Sequence, residues 1–180
     1  MKFYLMSRQM IPDGPIVYQR SHELVELKTG ALLGLDFEPP FRVELDSELH
    51  NGELPTFFTQ PAIIGTTQLY EDLKAIGLDN IQAFPAIIRD EVDDRTIEGY
   101  WLLNIVGAIS CVDMDQSDYN TLSEGMNIID YLILDGSKLH RFHLFLVAED
   151  TDCIVVSEKV YDYLTSRGYD DIYFEELKTV

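Results

Sequence analysis

The sequence predicts an α+β fold: short, mostly antiparallel strands with two short helices, each ending at a glycine and followed by a strand. Three observations carry this expectation. Two segments place apolar residues at helical spacing behind a hydroxyl residue and ahead of a glycine: QLYEDLKAI between Thr67 and Gly77, and EKVYDYLTSR between Ser157 and Gly168. The other apolar residues fall in short runs broken by Gly, Pro and Asp, which is the pattern of strands. Strands and helices do not alternate regularly enough for a doubly wound parallel sheet.

Taken in order, residues 2–6 (KFYLM) read as a short strand, and Pro12-Asp13-Gly14-Pro15 as a turn. Ile16 to Tyr18 reads as a second strand. Residues 22–46 are ambiguous, because Gly30, Gly34 and Pro39-Pro40 break any long element. After Pro40, FRVEL alternates as a strand does, and residues 46–61 read as a loop with embedded aromatics. Thr66 or Thr67 caps the first helix, whose apolar face is Leu69, Tyr70, Leu73 and Ile76, and Gly77 ends it. IQAFPAII follows as a strand that Pro85 assigns to an edge or a bulge. An acidic turn, DEVDDRTIEG, leads into a long strand over residues 100–112, with Trp101, Leu103 and Ile105 building core. Ile128 to Leu134 reads as a strand, 135–138 as a hairpin-like turn, and 139–148 and 153–156 as further strands. Ser157 caps the second helix, with Val160, Tyr161 and Leu164 on one face, and DIYFEEL closes the chain as a strand. The two stop signals, GLDNIQAF and GYDDIYF, are similar; two independent uses of a common helix-stop-strand device explain that better than duplication.

With 180 residues the chain fits one domain, 1–180, whose first 54 residues are the least distinctive. Chains of this size bury roughly 70% of their unfolded surface and need neither metal nor disulfide to fold. The charge is unusual: 13 Lys plus Arg against 32 Asp plus Glu give a net charge of −19. Such a field repels nucleic acid and anionic membranes and attracts basic partners or cations. Cys111 and Cys153 sit in apolar surroundings without a CxxC pattern, which argues for free thiols in a reducing compartment and against zinc. No run resembles a signal peptide or a membrane span, so the expected location is the cytoplasm.

Catalytic signals are missing. There is no GxSxG, no glycine-rich phosphate loop and no cue that would activate either cysteine. His140 and His143 are three apart in a strand-like segment and would face opposite ways, and His22 and His50 lie in loops. Asn104 reads as a hydrogen-bonded polar residue in a strand. A calcium loop can be aligned on Asp113, Asp115, Ser117 and Glu124. Yet its sixth position is Asp118 instead of glycine, and a strand precedes it where a helix should. The simpler reading is a strand end whose short side chains accept backbone N–H groups. No cofactor and no metal are expected.

Taken together, FFTQPAIIGTTQLYEDLKAIGLDNIQAFPAII, YWLLNIVGAISCVDMDQSDY, LHRFHLFLV and IVVSEKVYDYLTSRGYDDIYFEEL resemble, in their order, a bacterial immunity-protein family of polymorphic toxin systems. That family is typified by a Myxococcus protein and was formerly a domain of unknown function. The resemblance covers about residues 55–176. It implies a protein that binds and neutralises a cognate toxin without catalysis, and it carries no catalytic residue. The chain departs from the family pattern after the last helix, where Gly168-Tyr169-Asp170-Asp171 adds acid. The net charge makes the expected partner a basic toxin domain. The rival readings are a small metal-dependent enzyme using Asp113, Asp115 and Glu124, and an acidic regulatory module for another basic protein. The expected partner-binding residues are Asp90, Glu91, Asp93 and Asp94 in one turn and Asp113, Asp115 and Asp118 in another. A straight strand over 100–112 would hold these turns roughly 35–40 Å apart. One turn should therefore dominate unless the strand bends at Gly107, and the longer turn, 90–94, is favoured.

Overall fold

The computed structural model describes residues 1–8, 16–18, 27–34, 39–46, 54–59, 62–90, 94–123, 126–139 and 141–180. The expected turn at Pro12–Pro15 lies outside them. Fourteen strands and two helices are described: β1 Phe3–Arg8, β2 Ile16–Tyr18, β3 Phe41–Asp46, β4 Phe57–Phe58, β5 Ile64–Thr66, α1 Thr67–Ala75, β6 Ile81–Asp90 and β7 Arg95–Ile105. The chain continues through β8 Ala108–Ile109, β9 Asp118–Ser123, β10 Met126–Tyr131, β11 Ile133–Leu134, β12 Leu144–Val147, β13 Asp150–Ser157, α2 Glu158–Ser166 and β14 Ile172–Thr179. One sheet has the order β11-β14-β1-β13-β12-β8, the second β2-β3-β6-β7-β5-β4, and β9 and β10 form a separate ribbon. Most pairings are antiparallel, but β3–β6, β8–β12 and β11–β14 are parallel, so both large sheets are mixed.

The same unit is built twice. In the first, β5 and β6 flank β7, both antiparallel to it, and α1 connects them. In the second, β13 and β14 flank β1, and α2 connects them. Each is a parallel strand pair split by an antiparallel strand, with a helix as the crossover. Both helices point their apolar residues into one core. Leu69 and Leu73 of α1 and Val160 and Leu164 of α2 meet there with Leu103 and Ile105 of β7 and Tyr4 and Met6 of β1. Gly77 (φ 85°) and Gly168 (φ 79°) follow the two helices in the left-handed conformation that costs glycine little.

The central strands are buried on both faces, which explains their unbroken apolar runs. Tyr100 and Leu102 of β7 enter a second core with Phe41, Val43 and Ile88, while Leu103 and Ile105 enter the shared one. Phe145 and Val147 of β12 enter a third core with Phe3 and Leu177, while Leu144 and Leu146 face the shared one.

Several expectations change. The strand expected over 100–112 stops at Ile105. Gly107, at φ 120°, turns the chain, and Ala108–Ile109 joins the other sheet. Trp101 is only partly buried. Its ring lies 5.2 Å from that of Tyr70, and its Nε1 donates to Thr67 Oγ1 at 3.0 Å, so it covers the start of α1. Residues 135–138 are a 3-10 turn between strands that do not pair with each other, and the strand expected over 139–148 is only Leu144–Val147. The aromatics of the expected 46–61 loop form β4, with Phe57 in the shared core and Phe58 in the second. Pro85 lies in a strand interior to its sheet. It sits beyond the end of the β3 ladder, which begins at Ala86, and beside a register shift between Ala86 and Ile88, where a missing donor is tolerated.

Candidate partner-binding face

The two acidic turns are built differently. At the β6–β7 hairpin Asp90 is fully buried, and Arg95 Nε donates to its Oδ2 at 2.8 Å. The strands bring these two residues opposite each other. Asp90 therefore helps hold the hairpin and presents no surface to a partner, which corrects the expectation for this residue. Asp94 is exposed and pairs with Arg89, whose Nη1 also donates to Thr96 Oγ1 at 3.3 Å. Glu91 and Asp93 lie outside the described residues. Two arginines thus offset the charges of Asp90 and Asp94.

The second turn keeps more of its charge. Asp113 is engaged within its own turn: Oδ1 accepts from the N–H groups of Asp115 and Gln116, both at 3.1 Å, and Oδ2 accepts from Gln116 Nε2 at 2.9 Å. Ser117 Oγ accepts from Ile133 N at 3.0 Å and donates to Ile133 O at 3.3 Å, tying the turn to β11. These are the local backbone bonds that short polar side chains make. Asp115 and Asp118 are left exposed, and Asp118 opens the β9–β10 ribbon. Glu124 lies outside the described residues. Among the described residues no group of three or more His, Cys, Asp or Glu could hold a metal ion.

The ribbon carries exposed apolar side chains that the sequence reading missed: Tyr119, Ile128 and Tyr131. That reading ran 128–134 as one strand. In the structure β10 ends at Tyr131, and 133–134 leaves to pair with β14. The available signal was Glu124-Gly125 between two alternating polar and apolar stretches, a hairpin pattern. The ribbon is anchored by Ile129, which packs into the third core and donates its N–H to Asp150 Oδ2 at 3.4 Å.

The remaining polar candidates serve the framework. Asn104 is buried, and its Nδ2 donates to Ala31 O and to Gln82 Oε1, both at 2.9 Å. Ser157 heads α2, but its hydroxyl makes no helix-capping bond and instead lies 2.8 Å from His143 Nδ1. His22, His50 and His140 lie outside the described residues. Burial pushes the Cys111 and Cys153 thiols up to about 12, which leaves essentially no thiolate for nucleophilic work at neutral pH. Asp72, buried on α1, accepts from Arg167 Nε at 3.0 Å, Tyr169 OH at 2.6 Å and Tyr163 OH at 3.4 Å. Burial raises its pKa, but the bonds from Tyr169, Arg167 and Gln68 together outweigh that and hold it below the usual carboxylate range. Tyr169 and Asp171, part of the acid-rich departure after α2, thus face inward. Asp171 Oδ2 accepts from the backbone N–H of Thr56.

No helix among the described residues is long and apolar enough to cross a membrane. No curated protein matches the chain. The model of the immunity protein family Imm11 matches residues 34–179, which hold both helices, the ribbon and every strand of the two large sheets except β1 and β2, and the chain belongs to the Imm11 immunity protein family.

Proposed function

We propose that this protein neutralises a basic toxin domain by binding it in the cytoplasm, without catalysis, and that residues 1–180 act as one domain. Membership of an immunity family over residues 34–179 carries the reading, and the net charge of −19 supplies the chemistry of the partner. A field of this size speeds encounter with a positively charged protein and rejects nucleic acid. The contact face we favour includes Asp115 and Asp118, which are exposed and have no arginine beside them in sequence, with Asp113 shaping their turn. Asp94, with Glu91 and Asp93, forms a second and weaker contribution, because Arg89 offsets it.

The test is co-purification with the product of an adjacent toxin gene, together with survival of cells that express the toxin. The wild-type chain should bind and protect. Reversal of Asp115 and Asp118 to Lys should slow association by about ten-fold at low salt, and the effect should shrink as salt rises, because rim charges act through long-range steering. Protection that requires turnover of a substrate, or that is lost on removing a metal, would favour an enzyme instead.

A further inference from the structure

The ribbon and β14 enclose a groove with a chemistry of its own. It holds a cavity of about 70 Å³, room for several waters. Leu5 of β1, Ile129 of β10 and Leu177 of β14 line it with apolar surface continuous with the third core. Tyr131, about half exposed at 53%, also lines it, and Asp130 and Glu175 bring exposed carboxylates to it. Asn120 Nδ2 donates to Asp130 Oδ2 at 2.6 Å and so fixes that carboxylate in place. Among the described residues, Lys178 also lines the groove and Lys2 lies beside Glu176, and the ammonium groups of both have partners. Lys178 Nζ reaches Gln116 Oε1 at 3.4 Å, and Lys2 pairs with Glu176 at 3.0 Å.

An apolar bed, an aromatic ring and two carboxylates match the parts of one kind of side chain. A long aliphatic stem lies on the apolar surface, a cationic head stacks on the ring, and its N–H groups donate to the carboxylates. Arginine satisfies all three with one planar fork, and lysine only as a point charge. We propose that this groove receives an arginine side chain projecting from a basic protein partner. The proposal rests on the immunity reading for the identity of that partner, while the groove chemistry can be probed without it.

Two arms test it. In the first, methyl resonances of Leu5, Ile129 and Leu177 are followed while Gly-Arg-Gly is added. They should shift and saturate, shift less with Gly-Lys-Gly, and stay still with the uncharged isostere Gly-citrulline-Gly. Equal shifts with the citrulline and arginine peptides, or none with either, would overturn the groove as an arginine site. In the second arm, affinity for the toxin domain encoded beside the gene is measured for Glu175→Lys and Asp130→Lys. Both residues are exposed, so unchanged melting temperatures are expected alongside a loss of affinity of about ten-fold or more. Glu98→Lys, an exposed charge on β7, serves as the control and should change affinity by less than about two-fold. Tight toxin binding unmoved by the groove variants would sink the groove alone. A wild-type chain that binds no toxin, yet still takes the arginine peptide, would sink the immunity reading and leave the groove standing.

Discussion

The two strand-helix-strand units share a topology but secure their helices differently. In the first, Thr66 Oγ1 accepts the N–H of Leu69 at 3.3 Å, Lys74 sits in the last turn beside the helix's negative end, and Ile76 caps that end with its N–H directed to Asp72 O. This helix is finished by its own sequence. In the second, Ser157 stands at the same place with the same extended backbone, yet its hydroxyl is turned to His143 on the approach to β12. Glu158 supplies the favourable charge at the N-terminus, and Arg167, at the C-terminal cap, reaches across to Asp72 of α1. Lys159 Nζ also donates to Ile76 O at 2.8 Å. The second helix is therefore held by its neighbours more than by its own ends. A capping residue announces only that a hydroxyl is available; packing decides who receives it.

The largest test removes core from each unit. Leu69 and Leu164 are both fully buried, so Leu69→Ala and Leu164→Ala should each cost about 2–5 kcal/mol in urea denaturation. Because both side chains enter one cluster, each variant should shift a single common transition. Two separated transitions would show that the units unfold independently.

Next in size is Asp72→Asn, expected to cost about 2–3 kcal/mol by removing charge-assisted bonds to Arg167 and Tyr169. The sign of its pH dependence follows from a folded-state pKa held below the ordinary aspartate value. Asp72 contributes fully above its unfolded pKa, and the contribution is lost as pH falls through the lowered folded value. The stability gap between wild type and Asp72→Asn should be constant near neutrality and close below about pH 4. A gap that persists at pH 2 would mean that the carboxylate's charge does not matter.

The smallest effect sharpens the contrast most. Thr66→Ala should cost about 1 kcal/mol whatever the background, as a local cap does. Ser157→Ala should cost a similar amount, about 0.5–1.5 kcal/mol, but the loss should largely vanish in a His143→Ala background. A double-mutant cycle without coupling between Ser157 and His143 would return Ser157 to the role of a simple cap.

Much of this architecture was legible in local chemistry. Apolar spacing behind a hydroxyl residue located both helices, and Phe3, Phe41, Ile81 and Ile172 opened strands where apolar runs began. What failed did so where tertiary partners decide. Trp101 continues an apolar run, but it lies near the end of the buried stretch and caps α1 from outside. Asp90 looked like the other acids of its turn, and only the hairpin register places Arg95 opposite it and buries it. Tyr131 and Ile133 belong to different sheets although one residue separates them, because β11 leaves the ribbon to pair with β14. The acid-rich turns were legible as charge. The exposed apolar side chains of the ribbon were not, since exposure is set by what fails to cover a residue.

The position of β1 has a consequence for how the chain acquires its structure. The first unit draws its parts from one stretch, 64–105, so its pairings close short loops. The second unit has as its middle strand residues 3–8, which must find Ile154–Ser157 on one side and Ile172–Leu177 on the other. Loop-closure entropy grows with the length spanned, and contacts between distant residues slow folding. The order of events is thereby biased. The first unit can template early, while β13 and β14 wait with a strand-wide gap between them until the far end of the chain arrives to fill it. During that interval β13 and β14 expose unpaired edges, and a chain in that condition is open to the wrong strand, from another copy, before the right one.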